Sequence, residues 1–330
     1  MSETGANEGV AQPATAFSWQ MNQWQQLGAL LEAKRLPHAL LLSGPQGIGK
    51  LRFAQAFAHS LLCQDASTFA ACGHCQSCRL LAAGNHPDYR EISPEEGKRQ
   101  IGVDQVRQLQ SFVGQHAHRE GGRKLVVLHP AEAMNINTAN ALLKTLEEPA
   151  GDTVLLLVSH APSQLLATIR SRCLQMSFGV PDQKVVLNWL QNYIGDEALC
   201  SRLLTEASGR PLAAKALFDQ DGLSRWQGFD EQLQGVIQGR QSPVQLAELL
   251  AGEDILETLD WWLQRGLRLL KQVSAGVDCE NPVWQAFAKR SAHQLVVELD
   301  KAQLLRAKMQ RGATLNKRLV WEEMLLNWFA

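Results

Sequence analysis

The stretch Gly44-Pro-Gln-Gly-Ile-Gly-Lys-Leu-Arg52 carries the first recognisable chemistry in the chain. Gly44, Gly47 and Gly49 free the backbone to turn N–H groups toward phosphate oxygens, and Lys50 adds a positive charge. The apolar run His38–Ser43 precedes the loop and a helix-like stretch from Phe53 follows it. That is the strand–turn–helix context a phosphate loop needs. The position after the lysine, where a hydroxyl ordinarily holds Mg²⁺, is Leu51, and a leucine cannot ligate a metal.

Cys63, Cys72, Cys75 and Cys78 have the spacing C-x8-C-x2-C-x2-C. Cysteines three apart in a short loop can turn their thiolates toward one tetrahedral ion, with Zn–S near ~2.3 Å. Four sulfurs leave no open position, so the expected zinc is structural. A redox pair and unrelated thiols are the competing readings, and His74 is a spare candidate ligand. Cys173, Cys200 and Cys279 are scattered and read as buried inert thiols.

A nucleotide hydrolase also needs acidic groups at the end of a neighbouring strand, to hold Mg²⁺ and to polarise water. The apolar run from Lys124 ends instead in His129 and Pro130, and Glu132 lies three residues beyond His129. His129 is either a base or a packed or solvated histidine. With Leu51, these positions predict a chain that does not hydrolyse ATP itself.

The elements that position these groups alternate. Helical spacing marks Trp24–Leu31, the stretch through about Cys63, a helix from near Asp104 that ends before Gly121-Gly122, Ala139–Leu146 and the segment from Leu165. Between them, 38–43, 89–92, 124–129 and 153–158 read as strands. The alternation predicts a parallel sheet covered on both faces. After Pro181 only helical periodicity remains. Six tryptophans (Trp226, Trp261, Trp262, Trp284, Trp321, Trp328) fall in this last part, as core or as an interface.

Composition sets the bounds. The chain has 330 residues, a formal net charge of −1 and 45% hydrophobic residues, enough for two or three domains. No basic excess marks a nucleic-acid binder acting alone, and no apolar run approaches the ~18 residues of a membrane span. Residues 1–18 are polar and small, without the features of a signal peptide, and read as a disordered tail of a cytoplasmic protein.

Further motifs connect these features to a family. Asn140-Ala-Leu-Leu-Lys-Thr-Leu-Glu-Glu-Pro149, Arg170-Ser-Arg-Cys173, His86-Pro-Asp88, Val103-Asp-Gln-Val-Arg107 and Leu315-Asn-Lys-Arg-Leu319 stand in order around the cysteine loop. Together they resemble the clamp-loader subunits of bacterial DNA polymerase III, the delta-prime branch most closely. The resemblance implies an α/β AAA+ fold: a P-loop NTPase-like domain over 19–180 with the zinc module at 63–78, a small helical lid at 181–222 and an all-α collar at 223–330. It implies a non-hydrolysing stator, with three gamma or tau ATPase subunits and one delta subunit as partners. The ring so formed loads the beta sliding clamp on primed DNA within a DNA-directed DNA polymerase assembly.

By motif position, Arg172 is the arginine presented to the ATP of a neighbouring subunit, a planar fork suited to γ-phosphate oxygens. Arg170 has a supporting or structural role, and Ser159 matches the polar sensor position. Leu212 stands where a second sensor arginine is usual, with Arg210 two residues away. The branch's phosphate loop is degraded, whereas Gly44, Gly49 and Lys50 persist in this chain, so ATP or ADP binding stays open. The alternative of another class is a self-sufficient ATPase or nucleotide kinase with an atypical metal site.

Overall fold

The computed structural model describes residues 14–65, 69–119, 121–279, 281–310 and 312–329. Its centre is a sheet of five parallel strands: β1 (Ala39–Ser43), β2 (Tyr89–Ile92), β3 (Lys124–Leu128), β4 (Thr153–Ser159) and β5 (Leu174–Ser177). The spatial order is β2-β3-β4-β1-β5. Every residue of β1, β3 and β4 is buried, as a parallel sheet with two covered faces requires.

Strand alternation sorts the core into two layers. Leu40, Leu42, Leu125, Val127, Leu156 and Val158 face one side, where α1 (Met21–Glu32) adds Leu27 and α2 (Lys50–Leu62) adds Phe53, Ala54 and Phe57. The cysteine loop carries a short α3 (Gln76–Ala82). Leu41, Val126, Leu128, Leu155 and Leu157 face the other side, against Val106 and Leu109 of α4 (Val103–Val113) and Leu142 and Leu146 of α5 (Ile136–Glu147). Asn135 starts α5 by accepting the Thr138 N–H at 2.9 Å, a cap of about 1 kcal/mol. A one-turn α6 (Ala167–Arg170) leads into β5.

Two expectations change and one boundary is sharpened. β5 is a strand that hydrophobic pattern does not announce: it buries only Met176 and owes its state to parallel pairing with β1, Leu42 opposite Met176. α4 ends at Val113, well before Gly121, and Gly114 follows it. Of the expected tail, residues 1–13 lie outside the described residues. Phe17, however, is buried, stacked on Trp19 at 4.4 Å with the Arg52 guanidinium 4.6 Å over its ring, and Ser18–Gln20 form a helical turn.

The chain divides into two compact units, one of residues 1–195 and 209–213, the other of 196–208 and 214–330. This division cuts through the 181–222 segment rather than along its borders. α7 (Gln183–Ile194) belongs to the first unit. The second is helical among its described residues, from α8 (Glu197–Glu206) and α9 (Pro211–Asp219, whose first three residues count with the first unit) through α10 (Gly222–Ile237), α11 (Pro243–Gly252), α12 (Ile255–Ala275), α13 (Ala292–Gln310) and α14 (Lys317–Phe329).

All six tryptophans are buried in that unit's own core, so the interface alternative does not describe them. Asp230 is buried among them because its carboxylate accepts from Trp261 and Trp284 Nε1 at 3.2 and 3.0 Å and from Arg265 Nε at 3.0 Å. Among the described residues, no helix is long and apolar enough to cross a membrane.

Candidate functional site

β1 lies between β4 and β5, and the glycine loop leaves its carboxyl end, where parallel α/β sheets bind ligands. The loop's geometry requires glycine. At Gly44 (φ 147°) a Cβ would stand 2.1 Å from the Phe178 carbonyl oxygen; at Gly49 (φ 91°) it would meet the Phe17 ring at 2.6 Å. No side chain caps the first turn of α2, so its N-terminal donors are left to the loop.

Lys50, however, is turned inward. It is 2% exposed, and its ammonium donates to the carbonyl oxygens of Gly44 and Pro45, both at 2.6 Å. Burial pulls its pKa down to about 8, against the raising influence of the Glu132 charge. The rest of the loop is closed by the chain's own groups. The Leu212 N–H donates to Gly47 O at 2.8 Å, and Trp19 Nε1 and Gln20 Nε2 both donate to Ile48 O at 3.1 Å. Trp19 packs edge-on against Trp189 of α7 at 5.3 Å. Sequence reasoning missed Phe17, Trp19 and Gln20; two aromatic residues at the end of a polar stretch were the available signal.

Around the loop, Leu51 packs against the apolar layer beneath it. Ser159 is fully buried at the end of β4, beside Ser43 in register, and its hydroxyl accepts the Ala161 N–H at 3.2 Å. Glu132 is brought closer than its sequence position suggests: one oxygen accepts the His160 N–H at 2.9 Å, and its charge reaches Lys50. His129 is not a free base. It pairs with Glu91 at 2.9 Å, and Glu91 also accepts from Gln55 Nε2 and the Tyr89 hydroxyl at 3.0 and 2.9 Å. Burial alone would raise the Glu91 carboxyl, but these hydrogen bonds outweigh it and hold the pKa at about 2.

The four cysteines converge. Cys63 follows α2, Cys72 and Cys75 flank a turn at Gly73 (φ 80°), and Cys78 lies in α3. Their sulfurs all lie within 4.8 Å of one another, with Cys63–Cys75 and Cys72–Cys78 each at 3.9 Å. Four sulfurs at ~2.3 Å from one ion in a tetrahedron would be about 3.8 Å apart, so the set fits a tetrahedral metal. Backbone N–H groups point at three of the sulfurs: Cys72 N to Cys63, Cys75 N to Cys72 and Cys78 N to Cys75, at 3.3, 3.4 and 3.4 Å. Burial opposes a Cys75 thiolate, yet the backbone N–H groups of Cys78 and Gln64, with the Cys78 and Cys72 thiols, prevail and lower its pKa to about 6. Burial pushes Cys63 and Cys78 up, so gathering four thiolates calls for a cation.

Two buried contacts tie this module to the sheet domain. Ser77 Oγ donates to Leu62 O at 2.7 Å and lies 2.8 Å from His86 Nε2. His86 Nδ1 accepts the Asp88 N–H at 3.0 Å, which assigns the proton to Nε2. Phe69 packs on Trp24 and Phe57 with centroids 5.0 and 5.7 Å away.

Arg172 lies elsewhere, between α6 and β5. Its Nη2 is 2.7 Å from Glu147 Oε1, its Nη1 donates to Thr168 O at 3.0 Å, and its side chain stays 35% exposed. The two motif segments, Asn140–Pro149 and Arg170–Cys173, are thus joined by one ion pair. Because β5 runs parallel to β1 with Leu174 opposite Leu40 and Ser177 opposite Ser43, Arg172 and the glycine loop fall at opposite ends of adjacent strands.

The family model for the DNA polymerase III delta subunit matches residues 19–182. DNA polymerase III subunit delta' of Pseudomonas aeruginosa is 40% identical over 333 aligned positions, spanning 96% of this chain and 98% of its own length. Its counterpart from Yersinia pestis is 36% identical, spanning 94% and 95%. DNA polymerase III subunit tau of Salmonella typhimurium is 33% identical over 58% of this chain and 30% of its own. Among solved structures, a gamma subunit-related protein of Thermotoga maritima aligns over 91% of this chain and 97% of its own at 19% identity, with a TM-score of 0.42. Matched nearly end to end at such identities, the chain belongs to the DNA polymerase III subunit delta' family.

Proposed function

We propose that this chain is the non-hydrolysing stator of a cytoplasmic clamp-loader ring and that Arg172 acts on the ATP of an adjacent gamma or tau subunit. Its partners are those subunits, a delta subunit and, through the ring, the beta clamp and primed DNA. Residues 181–222 serve as the lid and 223–330 as the collar. The observation that carries the reading is the placement of the two cations. Four paired residues of β1 and β5, about 10 Å of strand at ~3.3 Å per step, separate Arg172 from the chain's own loop. Arg172 is therefore badly placed for a nucleotide at Lys50 and well placed for one outside the chain.

The loop supports the same reading. Lys50 is engaged by two loop carbonyls, and Leu51 offers no hydroxyl for Mg²⁺. A nucleotide at Gly44, Gly47, Gly49 and Lys50 would have to take the lysine from those carbonyls, with Ser159 as the polar group at the neighbouring strand end. The four cysteines would hold one zinc ion, whose chemistry there is structural.

The test is ATP turnover by the ring reconstituted with its partner subunits. Arg172→Ala should leave assembly intact and lower turnover at the site it serves by on the order of 10³, the scale of arginine fingers. Unchanged turnover, or turnover by the isolated chain that Lys50→Ala abolishes, would overturn the proposal.

A further inference from the structure

Arg172 is held from two directions before it meets anything outside the chain. Glu147, which receives Nη2 at 2.7 Å, closes α5, and that helix is fixed to the core by fully buried Leu142 and nearly buried Leu146. Thr168, whose carbonyl receives Nη1 at 3.0 Å, lies in α6 beside the fully buried Ile169. Both anchors sit on packed elements, yet the Arg172 and Glu147 side chains stay 35% and 49% exposed.

An exposed ion pair of this kind adds little to folding, so stability is a poor account of it. What it does set is direction. A guanidinium carries five N–H donors in one plane; one donates to the Thr168 carbonyl and the Glu147 carboxylate is ion-paired beside Nη2, which leaves the remaining donors in a defined plane for a phosphate. Part of the rotamer freedom of a free arginine is removed before the encounter, which favours a reacting geometry over a merely attractive one.

Resting on the reading of Arg172 given above, we propose that Glu147 is its positioning residue: the carboxylate holds the guanidinium in the plane from which it meets the neighbouring nucleotide. The carboxylate also repels an arriving phosphate. Positioning and repulsion make opposite predictions, since loss of an aiming group slows the chemical step and loss of a repelling one speeds it.

The experiment compares Glu147→Ala, Glu147→Gln, Arg172→Ala and the Ala/Ala double variant in the reconstituted ring, measuring kcat and KM for ATP and the melting temperature of each free chain. Glu147→Ala should lower kcat about fivefold with KM within about twofold and no change in melting. Glu147→Gln keeps an oxygen acceptor in place and should restore kcat to within about twofold. The double variant should equal Arg172→Ala, because Glu147 acts through the arginine. A kcat in Glu147→Ala at or above that of the unmodified ring overturns the inference, as does a double variant clearly slower than Arg172→Ala. If Arg172→Ala itself leaves turnover unchanged, the arginine reading falls; if it lowers turnover while Glu147→Ala does not, only the positioning role falls.

Discussion

Lys50 and Arg172 are two cations at the ends of neighbouring strands, and they are set in opposite ways. Lys50, past the carboxyl end of β1, is buried and bound to carbonyls of its own loop. Arg172, before the amino end of β5, is one-third exposed and held by one carboxylate and one carbonyl. A group surrounded by its own fold contributes to that fold; a group aimed outward from fixed anchors is free to act on something else. The same contrast extends to the cysteines, whose sulfurs face one another and the backbone N–H groups. Inward groups should therefore be felt in stability and Arg172 in turnover.

The cysteine module gives the largest effect by which to break this contrast. The chain should carry about one zinc, and Cys75→Ser should release it, since metal binding at such sites is coupled to folding with apparent free energies of ~10 kcal/mol. Stability of the first unit should fall by several kcal/mol, roughly the part of that figure the sheet core does not hold independently. Because Phe69 packs on Trp24, metal release should also shift tryptophan emission. A metal-free chain with unchanged melting would remove the cysteines from the inward class. Next in size is Gly44→Ala. Its Cβ would sit 2.1 Å from a backbone oxygen at a φ that disfavours side chains, so a loss of about 3 kcal/mol or more is expected in denaturant unfolding. Unaltered stability would mean that the loop is not held as tightly as its contacts imply.

Legibility follows from the same physics. β1, β3 and β4 were readable because strands buried on both faces are short continuous apolar runs. β5 was not, since an edge strand with only Met176 buried takes its conformation from its neighbour. The glycine loop and the cysteines were readable because each needs particular residue types at fixed spacing. Arg172 emerged only through its surrounding motif, an isolated arginine after a helix having no signature. Glu147 and Glu132 were obscured for a different reason: each acts through a side chain distant in sequence, and periodicity carries no information about such pairs. Phe17 and Trp19 had a visible signal, two aromatic residues beside a polar segment, but what they cover is a tertiary fact.

The smallest expected effect is also the sharpest for the comparison, because it asks whether Lys50 is a working cation or a buried structural one. Near pH 7 its amine is charged in both the folded and the unfolded chain. Between about 8, its folded pKa, and 10.5, its ordinary value, the unfolded chain keeps the proton that the folded chain has released. The unfolded state then binds more protons, so the lysine's contribution to stability rises with pH across that window, by roughly 3 kcal/mol for a shift of this size. Lys50→Met should abolish the rise. At pH 7 the methionine removes a desolvated charge but leaves two carbonyl oxygens without their donor, costs of about 1–3 kcal/mol each that offset the gain. Near-neutral stability at pH 7 is therefore expected, with a deficit against the unmodified chain that grows toward pH 10.5. Parallel stability curves for the two chains would show that Lys50 is not buried as a charge, and its resemblance to Arg172 would then outweigh the difference.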